Sequence, residues 1–250
     1  MIAILKNEFL KYFNGKFIIY SFLSIFSVIL ITLIRILSGS AHSNYIKDIT
    51  LFLNPYNVES GIMNLVIPII TIVITSSIIS EDYESGLMKF SLISKIEKFD
   101  ILLGKIFFII LAIIINIVLI FITNSIISGL VEHNFLGIFS KEYLNLFAKY
   151  IFSSISVLPI CLFTIFICLI FNEFQKSITL SIVTFFLLCI ITNLFTTIKF
   201  LIPTYTIINL MFLTAKSSIN IYYSLISILI YSVIFLSLDF IIIKRKDFWI

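Results

Sequence analysis

Apolar residues fall into six long blocks along this chain, and the charged residues gather in the gaps between them. The blocks are Phe17–Leu37, Gly61–Ser80, Gly104–Ser128, Tyr150–Phe171, Ser177–Ile198 and Ile221–Ile243. Each holds about 20 residues or more, enough for a helix rising about 1.5 Å per residue to cross hydrocarbon about 30 Å thick. Spanning backbone must satisfy its own hydrogen bonds, so a span is a helix or part of a closed barrel. Barrel strands alternate in polarity over about 10 residues, and these blocks are apolar on every side. The pattern predicts an all-α polytopic membrane protein of six transmembrane helices, forming a single membrane domain over residues 1–250. Ahead of the first block, Ile2, Leu5, Phe9 and Phe13 recur at helical spacing with Lys6, Asn7, Lys11 and Asn14 between them. Residues 1–16 are therefore expected to form an amphipathic helix on the membrane surface rather than a cleavable signal.

Composition agrees with that picture. Hydrophobic residues make up 60% of the chain and charged residues 12%, against roughly 25% charge in soluble domains; the mean hydropathy is +1.18. A net charge of +4 is too mild to suggest nucleic acid, but its distribution sets an orientation. With both termini inside, Lys6, Lys11, Lys16, Lys89, Lys95, Lys98, Lys105, Lys176, Lys244, Arg245 and Lys246 lie in inner segments. Only Lys47, Lys141, Lys149, Lys199 and Lys216 lie in outer ones. The excess of basic residues predicts cytoplasmic termini.

Candidate chemistry is sparse. Gly104-Lys105 lacks the remaining residues of a P-loop, Leu37-Ser38-Gly39-Ser40 sits at the wrong end of the first span to meet a nucleotide, and no hydrolase or zinc-protease motif occurs. Cys161, Cys168 and Cys189 fall within spans and are expected to pack as small apolar groups. His42 and His133 have no partner at metal-ligand spacing, so no metal site is expected. Arg35 and Asp239 are the charges inside the blocks; both are expected to snorkel, Asp239 towards Lys244. Asn116, Thr123, Asn124, Thr164, Thr184, Thr192 and Asn193 could join helices by hydrogen bonds or line a path. Pro68 and Pro159 are expected to kink their helices. Phe200–Leu213 is too short to span and is expected to be re-entrant from the outer face.

The most specific segment is the first inner loop, EDYESGLMKFSLISKIEKFDILLGK (residues 81–105). Glu81, Asp82 and Glu84 leave the second span, and Ser85-Gly86 permits a sharp change of direction. Leu87, Phe90, Ile93 and Ile96 then follow near helical spacing, with Lys89, Lys95, Glu97 and Lys98 on the charged side. Asp100 is placed to cap the helix that enters the third span. The loop at 81–103 reads as a short helix joined to two spans, able to receive a push from a soluble partner.

This loop resembles the first intracellular loop of type-2 ATP-binding-cassette transporter permeases. Aligning Gly86 with that family's glycine brings Asp82 and Glu84 onto its acids, Lys98 onto its arginine, and Ile101–Lys105 onto its closing Ile-Leu-Leu-Gly-Lys. Leu87 stands where the family has threonine and Lys95 where it has proline. An amphipathic leader, six spans and a short second inner loop extend the likeness along the chain.

The resemblance implies an exporter subunit without enzymatic activity of its own. Leu87, Phe90 and Ile93 would couple to a separate cytoplasmic ATPase, together with Asp82, Glu84, Gly86, Lys98, Gly104 and Lys105. Glu173 and Lys176, in the second inner loop, would make a lesser contact. ATP and Mg would be bound by that partner and no cofactor by this chain. A second permease subunit, identical or not, would complete the unit in a bacterial plasma membrane. The implied cargo is a hydrophobic or amphipathic peptide or antibiotic, with drugs, lipid or sodium as alternatives. An ion-coupled secondary transporter or a non-transporting anchor remains open on the residues alone.

Overall fold

The computed structural model describes residues 2–37, 61–86, 98–132, 147–148, 151, 154–194, 202, 204 and 218–245. Among them are seven α-helices: α1 (Ile2–Lys11), α2 (Phe17–Leu37), α3 (Gly61–Glu84), α4 (Lys98–Glu132), α5 (Leu158–Phe171), α6 (Phe174–Leu194) and α7 (Ser218–Arg245). A π-turn at Tyr12–Lys16 joins α1 to α2, and a 3-10 turn at Ser154–Val157 leads into α5. Among the described residues, five helical stretches are long and apolar enough to cross a membrane: Val66–Glu84, Lys98–Ile127, Ser154–Phe171, Phe174–Thr192 and Tyr222–Arg245. In α2 the described apolar stretch is the shorter Ile18–Leu30.

The helix boundaries differ from the apolar blocks for physical reasons. Helix α3 runs one turn beyond Ser80, because its terminal acids find cationic partners on other helices. Helix α4 begins at Lys98 rather than Gly104. Ile101 and Leu102 are buried there, and Phe99 stacks on Phe240 of α7 at 4.3 Å. Asp100 therefore lies in the first turn, favourable to the helix dipole but not the expected cap. Pro159 occupies a first-turn position of α5, where a missing N–H costs little; it starts the helix instead of kinking it. Between α5 and α6, Asn172 takes a left-handed conformation (φ 58°) and its N–H returns to the Cys168 carbonyl at 3.1 Å. A turn of Asn172 and Glu173 then suffices to reverse the chain.

Helix α3 is the most enclosed of the long helices. It packs on α2, α4, α5 and α6, while α7 lies mainly along α5. Ile72, Ile74 and Ile79 of α3, Ile109 of α4 and Ile165 of α5 are buried at the centre. Broad apolar faces of α2, α6 and α7 are exposed, including Phe22, Phe26, Phe186, Ile190, Leu229 and Val233. Faces of that composition suit lipid rather than water.

The polar residues inside the spans mostly close bonds within their own helices. Thr123, Thr164, Thr184 and Thr192 donate to carbonyls four residues back, at 2.8 to 3.0 Å. Asn116 does join elements: its Nδ2 donates to the Tyr12 hydroxyl at 3.3 Å and to the Ala112 carbonyl at 2.9 Å. Cys161 and Cys168 are buried and Cys189 half-buried, all as free thiols. The side chains of Arg35, Asn124 and Asn193 lie outside the described residues, as do His42, His133 and nearly all of residues 200–213.

Candidate coupling site at the charged end of the bundle

One end of the bundle gathers α1, the last turn of α3, the first turns of α4, the α5–α6 turn and the end of α7. Lys105, one turn into the apolar part of α4, is 2% exposed. An isolated ammonium could not remain charged at such a place. Its Nζ donates to Glu8 Oε1 of α1 at 3.0 Å, to the carboxylate of Asp82 on α3, and to the Ile78 carbonyl at 3.3 Å. Lys11 adds a second cation, 3.2 Å from Asp82 and 3.5 Å from Glu8. Two acids and two bases thus form a neutral, interlocked set that fastens α1, α3 and α4 to one another. Beside it, Lys16 pairs with Glu81 and donates to the Ser77 carbonyl at 3.4 Å.

Helix α1 is consequently turned in an unexpected way. Its buried side carries Glu8, with Tyr12 just beyond its end, while Phe9, Leu10 and Phe13 are exposed. The Phe9 and Phe13 rings stack at 4.2 Å. Tyr12 packs edge-on against Phe108 at 5.5 Å. Burial pushes its hydroxyl up to about 12, against the opposing hydrogen bond from Asn116. Leu5 packs against the core beside Glu8, while Lys6 and Asn7 are exposed together with Phe9 and Leu10, so the buried face of α1 is mixed rather than apolar.

The residues assigned to coupling separate into distinct roles. Asp82, Gly104 and Lys105 are buried, so Asp82 and Lys105 act as framework ties and present no face to a soluble partner. Glu84 is exposed, and its Oε1 accepts the Phe174 N–H at 2.7 Å, satisfying a free donor at the start of α6. That bond links the end of α3 to the start of α6, a connection that spacing along the chain does not disclose. Glu173 and Lys176 pair with each other at 2.7 Å on the surface. Lys98 is half-buried at the start of α4. Leu87, Phe90 and Ile93 lie outside the described residues. Glu8 and Lys11 are the members that sequence reasoning missed as site residues. The available signal was a lysine beside an apolar run, which requires acids from elsewhere.

Gly86 ends the frame. Helix α3 closes with Ser85 N–H to Glu81 O at 2.9 Å and Gly86 N–H to Tyr83 O at 3.1 Å, and Gly86 has φ +71°. This is the left-handed exit that glycine provides at a helix C-terminus. A Cβ there would meet nothing within 4 Å, so the cost of a side chain is backbone strain alone. Gly86→Ala is expected to destabilise by about 1–2 kcal/mol and Gly86→Asn by less. Thermal unfolding in detergent should rank them wild type, Asn, Ala; equal melting of Ala and wild type would refute the left-handed assignment.

Farther along the bundle, α5, α6 and α7, with Ile202, border an open pocket of about 360 Å³. Phe163, Leu187, Leu188 and Phe235 make it apolar, and Thr184 and Tyr231 also border it. Its size falls within the usual range for small-molecule sites.

A search of curated proteins finds no match to the chain. A family model described as "Protein of unknown function (DUF2705)" matches residues 47–249, from ahead of α3 to beyond the end of α7. By that match over most of its length, the chain belongs to the DUF2705 family.

Proposed function

We propose that this chain is the membrane-spanning subunit of an ATP-driven exporter, working with a separate cytoplasmic ATPase and a second permease subunit. In this reading α2 is the first of six crossings, and both termini and the charged end face the cytoplasm of a bacterial cell. The observation that carries the proposal is the frame around the first inner loop. Residues 87–97 join α3 to α4 in the sequence, and the ends of those helices are fastened by the Glu8–Lys11–Asp82–Lys105 set, with Glu84 linking them to α6. A push delivered to such a loop passes directly into the helices at the centre of the bundle.

The chain itself performs no hydrolysis in this scheme. Leu87, Phe90 and Ile93 form the docking face, Gly86 the turn that presents it, and Asp82 and Lys105 the rigid mount behind it. The apolar pocket between α5, α6 and α7 supports a hydrophobic or amphipathic cargo, such as part of a peptide antibiotic, entering from the membrane. Mild-detergent extraction of the tagged chain from native membranes tests the proposal. A P-loop ATPase and a second permease copy or homologue should co-purify in equal amounts. Repeated recovery of an active chain without any ATPase would refute it.

A further inference from the structure

Helices α6 and α7 both lie along α5 but, among the described residues, hardly touch each other. The seam between them holds the open pocket of about 360 Å³, with α5 as its floor. Its border is a single turn on each helix, at residues 159–163, 184–188 and 231–235, about 6 Å along the axis. Rings cluster there: Phe235 stands edge-on to Phe163 at 5.2 Å and stacks on Tyr231 at 6.4 Å. Leu187 at the border is half exposed, as are Val183 on the same helix and Ile230 and Ile234 beside the lining residues of α7. The mouth therefore looks onto the apolar outer face of the bundle. Buried Thr204 donates to the Leu188 carbonyl at 3.4 Å and fixes Ile202 beside the pocket. No charged side chain borders it among the described residues. Asp239, a turn beyond Phe235, is 0% exposed rather than turned towards the exposed Lys244, and it does not line the pocket.

We propose that this pocket binds one compact, uncharged aromatic group, which enters sideways from the hydrocarbon through the seam between α6 and α7. Size sets the scale. A cavity of about 150 Å³ accommodates benzene, so about 360 Å³ suits a group of roughly two rings. Shape argues against a lipid tail, because a chain lying along the bundle would occupy several turns and the pocket is one turn tall. The lining sets the charge, since an ion entering here would lose its hydration without meeting a counter-charge. Phe163, Tyr231 and Phe235 favour a ring over an aliphatic group of equal volume, through edge-on and offset-stacked contacts. The Thr184 hydroxyl proton is already engaged with the Leu180 and Ser181 carbonyls at 2.8 and 3.0 Å, leaving the Tyr231 hydroxyl as the better donor to a polar substituent. That the pocket receives exported cargo rests on the exporter reading; the binding itself does not.

The test uses the full chain in lipid nanodiscs with benzophenone, an uncharged two-ring ketone that attaches to nearby C–H groups on irradiation. Peptide mass spectrometry should show saturable labelling at residues 159–163, 184–188 and 231–235, above a non-saturating background on lipid-facing helices such as α2. Naphthalene should compete for those sites, whereas dodecane and naphthalenesulfonate at equal concentration should not. Leu187→Trp places a larger side chain at an exposed position of the mouth and should raise half-saturation about tenfold. Phe235→Leu removes a ring from the cluster and should raise it about fivefold. The wild-type competition needs no variant, so poor folding of either substitution leaves the proposal decidable. Non-saturating label spread evenly over α2, α6 and α7 would overturn the site, and equal competition by dodecane would overturn its aromatic assignment. No arm of this test involves the ATPase, so failure here and failure of the co-purification are separately readable.

Discussion

Lys105→Met is expected to cost the folded chain about 3–5 kcal/mol, the largest effect of any single substitution at the charged end. The substitution keeps the apolar stem and removes the charge, so packing is nearly preserved while Glu8 and Asp82 share only Lys11. Lys11 is one-third exposed and reaches both acids, but it cannot replace a cation buried between three helices. A net negative charge then remains among groups that are largely buried. The folded fraction, read by fluorescence-detected size exclusion and by Tm in detergent, should fall sharply. Combining Lys105→Met with Asp82→Asn should recover much of the loss, because Glu8 and Lys11 then remain as a neutral pair. If the double variant is no better than the single one, the ammonium is being held for some reason other than charge balance.

The second large effect concerns function. Phe90→Ala and Ile93→Ala should each weaken ATPase association by about thirtyfold, corresponding to about 2 kcal/mol for a desolvated anchor. Export or substrate-dependent resistance should be lost while membrane insertion stays normal. Lys89→Glu should act more weakly and should fade as salt rises, since rim charges are screened. Pull-down of the ATPase by each variant, normalised to chain in the membrane, measures this. Wild-type association of both alanine variants would remove the loop as the transmission element. The same experiment with Lys105→Met separates docking from mounting, because surviving chain should still bind the ATPase through its unaltered loop.

Hydropathy made the long helices legible because a membrane span is specified by length and apolarity alone. The limits of α2, Phe17–Leu37, coincide with the first apolar block. Other boundaries moved wherever a tertiary partner rescued polar residues, as the cations on α1 and α4 do for the last turn of α3. The charged end was only half legible. Asp82, Glu84 and Lys105 stood out, but the inward direction of Asp82 and Lys105 depends on Glu8 and Lys11, and Glu8 is 97 residues from Lys105. No local pattern reports such a meeting. Asp239 is different, since a signal was present. Residues five apart on a helix are rotated by about 140°, so Asp239 and Lys244 project from opposite faces and a pair between them was never geometrically available.

The burial of Glu8 on α1 bears on how the chain is made. When Glu8 leaves the ribosome, Lys11 follows within three residues, but the buried cation Lys105 is still 97 residues away in the sequence, and synthesis at about 5–20 residues per second leaves Glu8 waiting roughly 5–20 s. During that interval the helix has no protein to enclose Glu8, and Phe9, Leu10 and Phe13 offer the bilayer surface as a temporary berth. The leader would rest there until the third long helix threads past and Lys105 draws it down. Assembly thus runs backwards along the chain at this end, with the first segment synthesised among the last to be secured.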